Sequence, residues 1–345
     1  MTLSTRFFAI AFSLLVASVS FSCGGGDNSP SSTDSGSTTV PAEEGAPTAT
    51  GTTAKDGFAW INFRRSATGL QPLALSNEIE KAAQSHSTYQ KINGPFYDTE
   101  SGSNSPITHL ETSGKPGFTG VNACPQRMSA AGFDFGDQYG CAETISALIS
   151  DSGFDAAEEL IAAIYHRFII LQPSFREAGA GAAASYDGRY TIFTQNFAVR
   201  GSFANLGDGA VVNYPYHSQK LVPTSFAHFT EHPDPLPSST YPQYAGKQVG
   251  YPVSVHADLD KRIDVTNFVI RRQGSGIPLS GRILSGATDE NTQYFSAAIV
   301  PYQPLASSTV YTVQFSGTLC TKNSSNDTCI STPVPVSRDW SFTTR

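Results

Sequence analysis

The spacing of apolar and polar residues changes along the chain. An apolar run from Phe7 to Val19 is followed by a polar stretch, from Gly24 to about Thr53, with almost nothing to bury. Between about residues 56 and 170, two stretches have apolar residues at helical spacing, which is typical of amphipathic helices. Beyond about residue 205, short alternating runs replace that periodicity and predict strands.

Two regions have the clearest helical pattern. Residues 56 to 91 predict two helices separated by "ATGLQPLAL", and Ser76 is a suitable N-cap for the second because acidic residues follow in its first turn. A second region predicts a single core-facing helix from one apolar stripe, which consists of Phe154, Ala157, Ile161, Ile164 and Phe168.

A hairpin is predicted after these helices. The segment "AGAGAAASYDGRYTIFTQNFAV" has Asp187-Gly188 at its turn and small residues in its first strand, which let another element pack closely. Helices followed by a hairpin predict an α+β fold or a layered sandwich for this part of the chain.

The last part of the chain predicts an all-β structure. Strands are expected in "YPVSVHAD", "VTNFVIRR", "YFSAAIVP", "STVYTVQFSGTL" and "RDWSFTTR", which turn-forming clusters separate. Tyr311, Val313 and Phe315 share one face of a strand, and Trp340 and Phe342 share a face of the last one. This is the pattern of a small β-sandwich. The Pro-rich "EHPDPLPSSTYPQ" before it is expected to be an extended spacer or a covering strap.

The amino-terminal residues predict export. Arg6 and the apolar run after it have the layout of a signal peptide over residues 1–22, and the run is too short to span a membrane comfortably. Cys23 follows at once and resembles the acylated first residue of a bacterial lipoprotein, with ordinary secretory cleavage as the alternative. Residues 23–54 are then predicted to be a disordered tether. The expected location is the cell envelope, as a membrane-anchored lipoprotein or in secreted form.

The composition argues against one class of partner, and the cysteines indicate how the chain is cross-linked. Charged residues make up 15% of the 345 residues, against about 25% in typical soluble chains. A nucleic-acid partner is not expected, because the net charge is -7 and no Lys/Arg cluster forms a basic face. Four cysteines remain besides Cys23 and allow three pairings. Local pairing is favoured in an oxidising compartment, which would join Cys124 with Cys141 and Cys320 with Cys329.

An ordered series of motifs gives a family resemblance. The segments "INFRRSATGLQPLALSNEIEKAAQSHS", "GCAETI", "YHRFIILQPSFREAGAG" and "YTIFTQNFA" together resemble the CAP superfamily, the SCP-like extracellular proteins related to plant pathogenesis-related proteins. The resemblance implies a three-layer α-β-α sandwich over residues 55–200, with a cleft lined by two histidines and acidic residues. Position by position, it implies that His109, Glu143 and His166 line this cleft.

The residues of this cleft suit a divalent metal. Two neutral imidazoles and a carboxylate are a ligand set that zinc accepts, so His109, Glu143 and His166 are candidate ligands of Zn²⁺ or another divalent cation. The chain also departs from the family pattern. Ala163 stands where a second glutamate is usual, and Glu159 is a poor substitute because it lies two helical turns from His166, roughly 10 Å along the axis.

Two further residues are secondary candidates for the cleft. His86 lies on the apolar stripe of its own helix, which favours core packing, and Glu177 is expected to pair with Arg176, Arg167 or a backbone amide. The sequence contains no G-x-S-x-G, H-E-x-x-H or P-loop motif, and "FTEHPDPLP" is only superficially similar to a metal motif.

The carboxyl-terminal part completes the prediction. Residues 201–345 are interpreted as the Pro-rich linker and a β-sandwich that resembles bacterial Ig-like domains, on "PLASSTVYTVQFSGTL" and "WSFTT". The leading hypothesis is an exported, lipid-anchored, non-catalytic protein whose cleft binds a lipid or sterol-like ligand, with a divalent metal optional. The alternatives are a metal-assisted hydrolase of peptide or envelope polymer, and an adhesive surface module that binds an extracellular protein or polymer and has a vestigial cleft.

Overall fold

A computed structural model of the chain describes residues 15–16, 40, 43–98 and 103–345. Cys23, the predicted lipidation site, lies outside these residues, as do nearly all of the predicted signal peptide and most of the predicted tether. Where the tether is described, it contacts the folded chain, since Glu43 forms an ion pair with Arg64 at 2.6 Å. No helix in the described ranges is long and apolar enough to cross a membrane.

Helices are concentrated in the first half of the chain. They are α1 (Thr53–Ala67), α2 (Asn77–Asn93), α3 (Met128–Ala130), α4 (Gly153–Ala162) and α5 (Ile164–Ile170), with shorter helical turns at Ala123–Arg127, His228–Thr230 and Pro242–Tyr244. The predicted cap of α2 is confirmed, because the Ser76 hydroxyl oxygen accepts the N–H of Ile79 at 3.3 Å.

Strands occur throughout and dominate the second half. They are β1 (Leu15–Val16), β2 (Ala74–Leu75), β3 (Phe96–Asp98), β4 (Ser103–Ser105), β5 (Tyr139–Leu148), β6 (Glu177–Ala184), β7 (Thr191–Arg200), β8 (Val212–Tyr214), β9 (Gln219–Val222), β10 (Ser225–Phe226), β11 (Glu231–His232), β12 (Val249–Gly250), β13 (Val253–His256), β14 (Lys261–Arg272), β15 (Gly281–Ser285), β16 (Ser296–Pro301), β17 (Val310–Thr321) and β18 (Val334–Thr344).

A four-stranded sheet in the order β2-β6-β7-β5 organises the first region. The predicted hairpin is confirmed as β6 and β7, which pair antiparallel. Helix α2 packs on one face, where a Cβ on Gly181 would lie 2.3 Å from the Cα of Gln84. Helix α1 packs on the opposite face, where Gly57 meets the ring of Phe193. The small residues of β6 therefore let α2 approach the sheet, in a layered α+β arrangement.

The predicted helix over residues 154–168 is interrupted. Ala163 has an extended backbone, with φ -68° and ψ 117°, and separates α4 from α5. Every residue of α5 is buried, so the single apolar stripe of the sequence describes only α4. The prediction of one continuous helix was therefore wrong. The apolar residues after Ala163 belong to a separate helix that is covered on all sides, so they do not extend the stripe of α4.

The second region contains two four-stranded sheets, in the orders β15-β16-β13-β8 and β14-β17-β18-β9. All five strands predicted here are present, as β13, β14, β16, β17 and β18. The predicted inward residues are buried: Tyr311, Val313, Phe315, Trp340 and Phe342 are each at most 5% exposed. This part of the prediction, a strand-rich region after about residue 205, is confirmed.

The two regions share one continuous apolar core. Arg167 of α5 joins them, since its Nη1 donates to the carbonyl of Pro252 at 2.6 Å and its guanidinium lies over the rings of Tyr214 and Tyr251. The Tyr165 hydroxyl donates to Asp289 at 3.0 Å. Helix α5 is thus enclosed by both regions.

Both predicted disulfides are confirmed. Cys124 pairs with Cys141 and Cys320 pairs with Cys329, with Cα atoms 5.9 and 5.6 Å apart. The first bridge ties the turn before α3 to β5, and the second closes a loop after β17.

Candidate functional site

The structure brings His109 and Glu143 together. Glu143 lies on β5, an edge strand of the first sheet, and its Oε1 is 2.8 Å from Nδ1 of His109. Both side chains are buried, with 5% and 2% of their surface exposed. The carboxylate only accepts hydrogen bonds, so Nδ1 of His109 carries the proton.

Arg127 neutralises Glu143. Its Nη2 donates to both carboxylate oxygens, at 2.8 and 2.7 Å, while Nη1 donates to the carbonyls of His109 and Val121 at 2.9 Å each. Burial alone would raise the pKa of Glu143, but Arg127 and the nearby histidines hold this pKa well below its usual range. The carboxylate is therefore ionised and already paired with a cation.

The disulfide positions this ion pair. Arg127 follows Cys124 by three residues, and Glu143 follows Cys141 by two. The bridge between these cysteines therefore holds the turn that carries Arg127 against the strand that carries Glu143.

His86 belongs to the same buried network. Its Nδ1 lies 2.9 Å from Glu111 Oε1, and its Nε2 lies 2.8 Å from the carbonyl oxygen of Thr108. The His86 ring is therefore held between a carboxylate and a backbone carbonyl, both of which are acceptors. Burial alone would raise the pKa of Glu111, but the hydrogen bonds from His86 and the Thr119 amide lower it. Arg127 lies 3.8 Å from Glu111, so the same guanidinium faces both Glu111 and Glu143.

His109 is a neutral histidine of this network, and its Nε2 is a hydrogen-bond acceptor. Burial lowers its pKa below the ordinary histidine value, against the hydrogen bond to Glu143, and repulsion from His166 and His86 lowers it further. Its Nε2 is buried and has no hydrogen-bond partner within the described ranges. Because Nδ1 holds the proton, Nε2 presents a lone pair.

His166 pairs with a carboxylate from the second region. Glu231 of β11 accepts the backbone N–H groups of Ile164 and Tyr165 at 2.8 and 2.6 Å, and its Oε1 is 3.2 Å from His166 Nδ1. Glu231 therefore caps α5 and fixes the His166 ring. His166 is fully buried, because α5 lies between the two regions.

Glu177 lies elsewhere. It forms a two-pronged ion pair with Arg200 at the surface, at 2.7 and 2.9 Å. The predicted partners Arg176 and Arg167 hydrogen-bond instead to backbone carbonyls, including those of Pro173 and Pro252. Glu177 is therefore a structural residue and not part of the cluster around Glu143.

The donor set around Glu143 does not fit a divalent metal. Both carboxylate oxygens already receive hydrogen bonds from Arg127, and His109 Nδ1 points its hydrogen at the same carboxylate. In the part of the chain that the structure describes, no three His, Cys, Asp or Glu side chains are placed to hold a metal ion. The guanidinium supplies the positive charge that a metal would bring.

Sequence reasoning missed Glu111, Arg127 and Glu231. Glu111 follows His109 by two residues, and Arg127 lies near a bridged cysteine, so both had a weak positional signal. Glu231 had none, because it is 65 residues from His166 and lies in "FTEHPDPLP", to which no site was assigned.

Comparison with known proteins shows which family part of the chain matches. Residues 58–197 match the model of the cysteine-rich secretory protein family, CAP. No curated protein matches the chain.

Three solved structures are similar over part of the chain. An extracellular protein with an SCP domain from Bacillus anthracis is 21% identical over 43% of this chain and 40% of its own, with a TM-score of 0.32. An outer surface protein from Borrelia burgdorferi is 17% identical over 43% of this chain and 92% of its own, with a TM-score of 0.31. Venom allergen-like protein 4 from Schistosoma mansoni is 10% identical over 44% of this chain and 90% of its own, with a TM-score of 0.28.

The chain thus spans less than half of the length of the Bacillus protein. The family match covers the predicted helices, the disulfide between Cys124 and Cys141, and the buried network around Arg127. Residues 58–197 are a CAP domain of the cysteine-rich secretory protein family.

Proposed function

We propose that this protein is an exported envelope or surface protein whose CAP domain binds an apolar, hydroxyl-bearing ligand, such as a lipid or sterol-like molecule, without catalysis. The observation that carries the proposal is His109 Nε2, a buried lone pair without a partner among the described residues. A buried acceptor without a donor is costly, and a ligand hydroxyl would supply the missing hydrogen bond.

The charge network supports binding over catalysis. A general base needs a pKa near the working pH, whereas the ion pair with Arg127 keeps Glu143 ionised far below neutral pH. No hydroxyl or thiol in the described chain hydrogen-bonds to His109 Nε2, so His109 has no nucleophile to activate. The alternative, a metal-assisted hydrolase, also requires a metal site. Glu143 does not suit such a site, because Arg127 already donates to both of its carboxylate oxygens.

The proposal includes a lipid anchor at Cys23 that attaches the protein to a membrane. A signal peptide followed by Cys23 supports lipidation at that cysteine and attachment to a membrane surface. The strand-rich second region would then serve as an Ig-like spacer or as an adhesive module for an extracellular protein or polymer. Mass spectrometry of the amino terminus, with Cys23→Ser as the unlipidated control, tests the anchor separately from the ligand.

A paired-ligand titration tests the binding. Cholesterol and 1-dodecanol are titrated against the protein beside their methyl ethers, which keep the apolar body but cannot donate a hydrogen bond. We expect the alcohols to bind at least tenfold more tightly than the ethers, and His109→Ala to remove that difference. Equal binding of alcohol and ether, or an unchanged preference in His109→Ala, would contradict the proposal. Added Zn²⁺ should leave the affinities unchanged.

A further inference from the structure

A cavity of about 400 Å³ lies where the CAP domain meets the second region. One face of α4 forms a wall through Asp155, Glu159 and Ala162, which follow each other at helical spacing. Leu221 and Pro223, beyond the end of the CAP domain, also line the cavity. The cavity is separate from the network around Arg127, and the proposed function does not use it.

Glu159 is the unusual residue of this cavity. The side chain as a whole is partly exposed, but its Oε2 is out of contact with solvent and has no hydrogen-bond partner in the described chain. A buried carboxylate oxygen without a donor is unfavourable, so it indicates a missing partner. Burial raises the pKa of Glu159 to about 8, which keeps the carboxyl group mostly protonated at neutral pH.

The other charged groups that line the cavity leave it negative. Glu43 and Glu158 both pair with Arg64, and Asp155 accepts hydrogen bonds from the Ser150 hydroxyl and the Val40 amide. Arg345 is the second cation of the lining. Three carboxylates therefore accompany two arginines in the lining even while Glu159 is neutral. A cation entering the cavity is favoured by this excess and favours ionisation of Glu159.

The remaining wall is apolar. Leu148, Ile149 and Ala162 line it together with Leu221 and Pro223. Ile149 is 59% exposed, so this wall continues to the surface of the protein. A ligand that satisfies both parts of the lining has a positively charged head and a hydrocarbon body.

We propose that this cavity binds a small organic cation, an ammonium group on an apolar body, and that Glu159 is the carboxylate that pairs with it. The apolar body lies along Leu148, Ile149 and Leu221, and the ammonium group donates to the carboxylate. Binding is coupled to the loss of the Glu159 proton, because only the ionised carboxylate completes the pair.

Calorimetric titration of the full chain with hexylammonium chloride tests this proposal. Two buffers that differ in ionisation enthalpy report the protons released on binding. At pH 7 we expect close to one proton released per ligand, and at pH 9 almost none. The affinity should rise about tenfold between pH 7 and pH 9, because the protonated carboxyl group no longer competes. 1-Hexanol, which has the same length and no charge, should bind at least tenfold more weakly than hexylammonium at pH 9.

Glu159→Gln is the informative variant because it keeps the shape and removes the titration. It should weaken hexylammonium binding at pH 9 at least tenfold and abolish both the proton release and the pH dependence. Glu290→Gln removes an exposed carboxylate and should behave like the unmodified chain. The proposal is overturned if no saturable binding occurs, if Glu159→Gln binds equally well, or if hexanol and hexylammonium bind alike.

Discussion

Arg127 donates to both carboxylate oxygens of Glu143, at 2.8 and 2.7 Å, and both residues are buried. A buried pair of this kind is costly to break, because the remaining charge has no partner and no water. The pair therefore determines how this part of the CAP domain responds to substitution.

Arg127→Met should destabilise the protein strongly. We expect the free energy of unfolding to fall by about 3–5 kcal/mol, because Glu143 and Glu111 lose their common cation. Urea unfolding followed by circular dichroism measures the change. The double variant with Glu143→Gln should lose less than the two single losses combined, and Arg189→Met, at an exposed position, should lose little. A loss below about 1 kcal/mol in Arg127→Met would contradict the role of this pair.

Glu231→Gln should loosen the start of α5. The amide of glutamine offers a single neutral acceptor oxygen where the carboxylate now accepts the N–H groups of Ile164 and Tyr165. We expect a loss of about 1–3 kcal/mol and faster hydrogen exchange of these two amides. Unchanged exchange rates, against Glu290→Gln as the control, would show that the cap is not needed.

Stability should fall below neutral pH. Burial lowers the pKa of His256 well below the ordinary value, and that of His109 also lies below it. Each group binds a proton more readily in the unfolded chain, so stability is fully present above about pH 6.5 and is lost as the pH falls below it.

The variant His256→Leu isolates the contribution of His256 to the pH dependence of stability. The variant should show a smaller loss between pH 7.5 and pH 5 than the unmodified chain, measured as the urea midpoint at each pH. His217→Gln, at an exposed position, should keep the full pH dependence. An equal loss in His256→Leu and the unmodified chain would show that His256 does not titrate on unfolding.

Glu159→Gln should stabilise the protein at alkaline pH. The folded pKa of about 8 lies above the ordinary value of 4.5, so the carboxyl group favours the folded state below about pH 4.5 and this advantage is lost as the pH rises toward 8. Glutamine does not titrate, and we expect a gain of about 1–2 kcal/mol at pH 8, allowing for the partial exposure of the side chain. The thermal midpoints of the two proteins should converge near pH 5. A gain that is independent of pH would contradict burial of this carboxyl group.

Gly181→Ala should separate α2 from the sheet. A Cβ at this position would lie 2.3 Å from backbone atoms of Gln84, and a helix backbone cannot yield as a side chain does. We expect a loss of several kcal/mol, at least about 2, in the free energy of unfolding. Ala183→Ser, two residues further along the same strand, is the matched control. Near-normal stability in Gly181→Ala would mean that α2 is free to shift.

Local patterns predicted the elements well and their long-range partners poorly. The cap at Ser76, the hairpin at Asp187-Gly188 and the five later strands each depend on residues close in sequence, and all are present. The break at Ala163 escaped prediction because it depends on burial by a region that begins dozens of residues later.

The candidate site shows the same limit. The cysteine pairing was predicted from the separation of the residues, and the structure confirms it. The ion pair of Arg127 with Glu143 was not predicted, because the position of Arg127 near Cys124 is a weak signal and does not indicate burial. The carboxylate on His166 comes from Glu231, and only the tertiary fold brings these two residues together.

The enclosure of α5 has a consequence for how the chain folds. Its seven residues belong to the CAP domain by sequence, yet Glu231, Pro252, Tyr251 and Asp289 of the second region complete their surroundings. A chain cut between the two regions would expose the apolar helix α5 on one fragment and the apolar surface that covers it on the other. We therefore expect the two regions to unfold together and to aggregate when expressed as separate halves.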